Sequence, residues 1–267
     1  FIAKYAGELG NALRVSTCPN ATAYSNTLTG TYSVTAGSTT VTGSGSLANT
    51  QMQVGDFIVL SGRSTKVVAI ANATSFTLES AHLTGATAVS GTRRWEFFSE
   101  FDSAPGTSTN GSALGASGDE LHVVVQDRTG DITGTANTVL EKFGYLSKGS
   151  NAKADSGGSN YYKDIINDRS DWVWWAAHDN AGSNWGNTLS STTYTSVVIP
   201  KAYSLAGGSD GNALTDGDRS TSYVLLANKQ EVPASIIITG QANATVVNRV
   251  IADVAEVRKD VVVCVSP

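Results

Sequence analysis

A chain of 267 residues, 40% of them hydrophobic, carries enough apolar material for one large domain or two modest ones, which argues against global disorder. Only 15% of its residues are charged, and a formal net charge of −5 with a lone basic pair, Arg93–Arg94, leaves no patch for gripping nucleic acid. Two distant cysteines, Cys18 and Cys264, make no disulfide framework and read as buried free thiols of a reducing cytosol, and no apolar run reaches the length of a membrane span.

The chain opens on Phe1-Ile-Ala-Lys with no signal-peptide pattern, and both of its ends read as cut from something longer. Residues 12–18 predict a strand after a Gly10-Asn11 turn. Over 30–95 the runs 32–34, 39–42, 56–60, 65–70 and 75–78 are short, β-branched and punctuated by Gly, Asn or Ser. Their regular spacing predicts a small β-barrel or sandwich inserted at 20–99. Gln53-Val-Gly-Asp-Phe-Ile58 resembles the turn into a strand of SH3-like or OB-like barrels, without the basic and aromatic strip that single-stranded nucleic acid needs. Residues 99–119 read as a long Gly/Ser-rich loop.

From Glu120 the pattern turns α/β. Residues 121–126 predict a strand with Leu121, Val123 and Val125 on one face, and 139–146 another. Residues 161–167 read as a short helix, 172–177 as a buried strand, 196–199 and 234–239 as further strands. Asn243 offers an N-cap for an amphipathic helix over 244–259, with Val247, Val250, Ile251 and Val254 at helical spacing and Arg249 and Asp253 paired four apart. Residues 260–265 then close a β-α-β unit with parallel strands.

Gly207-Gly-Ser-Asp-Gly211 matches G-x-S-x-G, the serine-hydrolase elbow, yet the residues after it read as a turn and no histidine follows Ser209. His82, His122 and His178 are the only histidines; His122 reads as a surface or interface residue, and His178 beside Asp179 is the best placed. Neither a zinc spacing nor a Walker loop is present, so no catalytic residue, cofactor or metal ligand is assigned. Asp210, Asp216 and Asp218 among glycines suit a solvated turn better than a calcium site. Trp172, Trp174, Trp175 and Trp185 read first as core, then as an interface anchor, last as a carbohydrate platform.

Several segments in order resemble one family. They are Tyr5-Ala-Gly7 with Gly10-Asn11, Glu141-Lys-Phe-Gly-Tyr-Leu-Ser147, Asn160-Tyr-Tyr-Lys-Asp-Ile-Ile-Asn167 with Ser170, Leu205-Ala-Gly-Gly-Ser-Asp-Gly211, and Arg258-Lys-Asp-Val-Val-Val-Cys-Val-Ser-Pro267. Together they resemble the sheath proteins of contractile phage tails, above all the large sheaths of T-even-like myophages. The resemblance implies an α+β fold. A mixed α/β sheath core at 1–19 and 100–267, likened to subtilisin in fold but without its active site, would carry the inserted β-barrel-like domain at 20–99. It further implies a structural subunit, not an enzyme, assembled in the bacterial cytoplasm and resident in the virion. Its partners would be other sheath subunits, the tail tube and the baseplate, with no nucleic acid and no membrane. The excised piece would by itself be monomeric. The alternative is a β-rich adhesion or carbohydrate-binding module.

Overall fold

The short β-branched runs over 31–82 do build a sheet. In the computed structural model, which describes residues 1–179 and 182–266, the strands run in the spatial order Ser25–Thr27, Gly91–Arg94, Phe57–Leu60, Arg63–Asn72, Ser75–His82, Ser38–Ser44, Thr31–Val34 and Ala86–Val89. Every pairing is antiparallel. Arg63–Asn72 serves two neighbours. Its first half pairs with Phe57–Leu60, and its second half, after a register shift near Val67, pairs with Ser75–His82. Alternate residues Tyr32, Val34, Val41, Ile58, Leu60, Val67, Phe76 and Leu78 turn to one side and form a single buried cluster. Each such large side chain stabilises by about 1.5–3 kcal/mol. Gly30 sits at φ +82°, where a Cβ would come 2.5 Å from the Ser44 carbonyl oxygen, so the hairpin closes only on glycine.

A second, four-stranded antiparallel sheet has the order Thr138–Ser147, Glu120–Asp127, Leu13–Cys18 and Lys201–Ser204. As expected, Leu121, Val123 and Val125 share one face and join Leu13, Val15, Tyr162, Ile166 and Val173 in a core. The other face is buried too: Val124 packs with Cys18, Ala23, Trp95 and Phe97. These sheets and a few short helices make the chain mixed α+β. It divides into two compact units, Phe1–Ser209 and Asp210–Pro267.

Three expectations for the first unit fail for identifiable reasons. The strand expected over 172–177 shrinks to Val173–Trp174, pairing with Ile2–Ala3, because the Trp175 amide leaves the ladder to donate to Asn167 Oδ1 at 2.8 Å. Residues 196–199 form no strand. The carbonyls of Val198 and Pro200 accept from the Arg93 guanidinium and Gln53 Nε2 instead, and pairing resumes at Lys201–Ser204. The 99–119 loop contains the helix Thr109–Ala113, capped by Ser108 Oγ on the Gly111 amide, and is tied down by the buried Asp119, which accepts from Ser108 N and Oγ and from Ser147 Oγ.

In the second unit Ile236–Gln241 and Val262–Ser266 pair in parallel, as expected of a β-α-β unit. Asn243 Oδ1 caps the connecting helix by accepting from the Val246 amide at 3.1 Å. The helix runs through Ala244–Val250, a π turn Ile251–Ala255 and Glu256–Arg258. Its inner stripe is Val246, Val250 and Val254 with Ile237, one residue off the expected stripe: Val246 replaces Val247, and Ile251 is exposed. The segment after Gly211, expected as a turn, becomes the helix Asp216–Val224 behind a Thr215–Asp218 capping box. Ile236, Ile238 and Val262 are exposed at 64%, 73% and 63%, so one face of this parallel pair stays bare within its unit, unlike the usual parallel sheet. Cys18 is buried as expected, but Cys264, on the same strand as Val262, is exposed. No helix among the described residues is long and apolar enough to cross a membrane.

Candidate functional site

The G-x-S-x-G loop does not form an elbow. The strand before it ends at Ser204 and the helix after it starts at Asp216, so Ser209 lies in irregular backbone far from either end. An elbow needs the nucleophile at a tight strand-to-helix turn. The glycines have another use. Asn11 Nδ2 donates to the Gly208 carbonyl and Asn11 Oδ1 accepts from the Gly208 amide, both at 2.8 Å. A Cβ at Gly208 would stand 2.1 Å from the Gly7 carbonyl oxygen. The Gly10-Asn11 turn and the Gly-Gly loop, far apart in sequence, are two halves of one clamp.

Each histidine is occupied. His82 is buried with Nε2 3.3 Å from the Leu60 carbonyl. His122, expected at a surface, is fully buried because Glu120–Asp127 is a central strand covered on both faces. Its Nδ1 accepts from the Tyr145 amide at 3.1 Å, which leaves the ring proton on Nε2 to donate to the Ser103 carbonyl at 2.9 Å. Phe101 stacks on the ring at 4.1 Å and Tyr145 meets it edge-on at 4.7 Å. Burial holds the His122 pKa below the usual imidazole range. This is the environment of a structural, neutral imidazole.

His178 alone borders a cleft. The Trp175 indole donates to the Tyr162 hydroxyl at 2.9 Å, and that hydroxyl shares a further hydrogen bond with His178 Nδ1 at 2.8 Å. Burial lowers the His178 pKa while raising that of Tyr162. Gly186, at φ +82°, leaves room for the ring: a Cβ there would fall 2.5 Å from Nε2. The cleft encloses about 420 Å³ and is lined by Thr17, Tyr162, His178, Asp179, Lys201 and Tyr203, with Trp185 behind. Asp179, next to His178 in sequence, accepts from Tyr203 and lies 3.5 Å from Thr17 Oγ1. Such groups can orient a hydrogen-bonding ligand. They do not assemble a nucleophile, a base and its orienting group in series.

The acidic cluster is divided among local tasks. Asp218 accepts from Thr215 N and Oγ1, which hold its carboxyl below the ordinary range, and Asp216 accepts from Asn243 Nδ2. No group of three or more His, Cys, Asp or Glu suited to a metal ion occurs among the described residues. Of the four clustered tryptophans, Trp185 is 9% exposed, Trp172 and Trp175 are partly covered, and only Trp174 shows a large face, with the Lys4 ammonium 3.8 Å from its ring centre.

Sequence reading missed three buried cations, Arg93, Lys148 and Arg258. Arg93 is fully buried and donates to the carbonyls of Ala23, Thr22 and Val198 at 2.7–2.8 Å, with Asp56 at 3.8 Å. Lys148 is equally buried, donates to the Pro19 carbonyl at 2.6 Å, and burial lowers its pKa to about 8. Nothing in the local pattern marks any of them as interior. The chain matches no family model, no curated protein and no solved structure.

Proposed function

We propose that this chain belongs to a structural subunit of a contractile phage tail sheath, with an α/β sheath core carrying an inserted β-barrel-like domain at 20–99. The observation that carries the reading is the way the resembling segments hold one another. Asn11 clamps Gly208 of the Leu-Ala-Gly-Gly loop. Glu141 accepts from Ser170 Oγ and the Asp171 amide, both at 2.6 Å. Asn167 Oδ1 takes the Trp175 amide, and Arg258 grips Asp260 within the last segment. Residues that resemble the family are thus framework ties, as expected of a protein selected for rigid subunits. The bare face at Ile236, Ile238 and Val262 adds apolar surface suited to burial against further polypeptide.

In this reading the subunit performs no covalent step. Copies surround the tail tube, answer a signal from the baseplate, and move as rigid bodies between two packings, the work coming from better contacts in the second. Electron microscopy of the complete gene product that carries this sequence tests it. Hollow, helically striated tubes are expected, and antibodies to residues 30–95 should decorate their outside. A product that stays monodisperse at every concentration, or antibodies that label a fibre tip, would point to the adhesion alternative instead. That alternative is the weaker one because three of the four clustered tryptophans are largely covered, which leaves no flat aromatic platform.

A further inference from the structure

Three strand ends meet at one corner of the four-stranded sheet. Thr138–Ser147, Glu120–Asp127 and Leu13–Cys18 are neighbours in that order, with Glu120 opposite Ser147 and His122 opposite Cys18. The residues just beyond those ends therefore converge: Lys148 from the edge strand, Asp119 from the middle one, and Pro19-Asn20 from the third. Lys148 and Asp119 are 0% exposed and Asn20 is 6% exposed. An amine, a carboxylate and a carboxamide are thus gathered in an interior where such groups are rare.

Lys148 Nζ donates to the Pro19 carbonyl at 2.6 Å, which sets the amine against the main chain immediately before Asn20. The rings of Trp185 and Tyr194 lie 5.4 and 5.5 Å from it and make its surroundings apolar. Burial lowers the Lys148 pKa to about 8, against the opposing charge of Asp119. Roughly a tenth of the amine is then neutral at about pH 7. A neutral amine can keep its bond to Pro19 through one hydrogen and still present its lone pair. The two ends of the Asn20 carboxamide differ. Its Oδ1 accepts from the Ala23 amide at 2.9 Å, whereas Nδ2 is buried with no hydrogen-bond partner among the described residues. An unpaired buried amide nitrogen is costly and rare. Acyl transfer calls for the same asymmetry: an N–H on the oxygen where negative charge develops, and a leaving nitrogen that nothing holds.

We propose that Lys148 and Asn20 join in an intramolecular amide bond. Neutral Lys148 Nζ attacks Asn20 Cγ. The Nζ–Cγ bond forms, the Cγ–Nδ2 bond breaks, one proton passes from Nζ to Nδ2, and ammonia leaves. Nothing is oxidised or reduced. The product ties the point where the 20–99 segment leaves the sheet to the edge strand two places away, and it removes the unpaired Nδ2. The bond forms once, within one folded chain, so it does not depend on the sheath reading.

Mass spectrometry of the denatured, purified protein tests the proposal. The intact mass should fall about 17 Da below that of the sequence, the mass of ammonia. A proteolytic map should contain one branched peptide joining the segment around Asn20 to the segment around Lys148. Lys148→Arg, which keeps the charge but removes the nucleophile, should restore the full mass, and so should Asn20→Ala. The map of the unaltered protein decides the matter by itself if either variant fails to fold. An intact mass equal to that of the sequence, or Asn20 and Lys148 recovered in separate linear peptides, would overturn the proposal. So would a deficit that persists in both variants, or one that maps to Asn110-Gly111, where closure to a succinimide expels the same ammonia without joining two segments. None of these results bears on whether the gene product forms tubes.

Discussion

Each unit holds one buried guanidinium that gathers backbone carbonyls, and the two sites behave differently. In the first unit Arg93 is 0% exposed and collects three carbonyls, beside an Asp56 that is also 0% exposed. In the second unit Arg258 is 4% exposed and collects the carbonyls of Leu226, Val232 and Ala234, but its partner Asp260 has a side chain 48% exposed. Desolvation outweighs the pull of Arg93 and pushes the Asp56 pKa up to about 7. Asp260 keeps its water, and the hydrogen bond from Arg258 lowers its pKa instead. The same pair of residue types therefore gives opposite electrostatics. Arg93 stays 3.8 Å from Asp56 without a hydrogen bond to it, whereas Arg258 bonds Asp260 twice, so contact geometry and solvent access at the carboxylate together set the direction. The sites also differ in satisfaction: Asp56 Oδ1 and Arg93 Nε find no hydrogen-bond partner among the described residues.

The sharpest way to break this comparison is to remove the two arginines. Arg93→Met strands a buried carboxyl and three carbonyls, and should destabilise the first unit by about 3–5 kcal/mol. All five tryptophans lie in that unit, so urea unfolding followed by indole fluorescence reads it selectively. Arg258→Met leaves a carboxylate that water can still reach. The loss should be about 1–3 kcal/mol, seen as faster amide exchange over Val246–Val254. Equal losses would mean that carboxylate burial is not the controlling variable.

A pH series sharpens the same point. Asp56 holds its proton in the folded chain up to about pH 7 but loses it near pH 4 when unfolded. Between those values the folded state binds more protons, so this group's contribution to stability falls as pH rises. Buried His122 works the other way, because its folded pKa lies below the unfolded value near 6.5 and stability is lost as pH falls through that range. Asp56→Asn should abolish the decline toward neutral pH, and His122→Phe the loss on the acid side. The check is the urea midpoint of each variant across that window, where a parallel shift at all pH values would contradict the assignment.

Smaller effects belong to solvated groups. Thr215→Ala removes the hydroxyl half of the capping box and should cost the second unit about 1 kcal/mol in exchange protection of the Asp216–Val224 amides. Arg249→Gln deletes an exposed i, i+4 pair with Asp253 and should change stability by less than about 0.5 kcal/mol at moderate salt.

Much of the framework was readable from local pattern. Short β-branched runs at regular spacing marked the strands between 31 and 82, Leu121, Val123 and Val125 on one face marked Glu120–Asp127, and Asn243 before a helical stripe marked the parallel unit. Each rests on rules that act within a few residues: side-chain periodicity, turn residues and caps. The failures share a different cause. Residues 196–199 have strand composition, but the Val198 carbonyl and that of Pro200 just after are taken by Arg93 and Gln53, which are distant in sequence. Trp175 leaves its ladder for Asn167. His122 alternates away from an apolar face and looks exposed until a second layer, with Trp95 and Phe101, covers it.

The cleft shows the same division. The sequence by itself determined that His178 and Asp179 adjoin, that tryptophans cluster before them, and that no histidine follows Ser209. Only the tertiary structure decided that Thr17, Lys201 and Tyr203 would meet His178 and Asp179 across one strand pair, and that Arg93, Asp56 and Lys148 would be interior. Periodicity reports which face of its own element a residue occupies. Whether a second layer covers that face, and which distant carbonyl or carboxylate waits there, is set by contacts that no local pattern encodes.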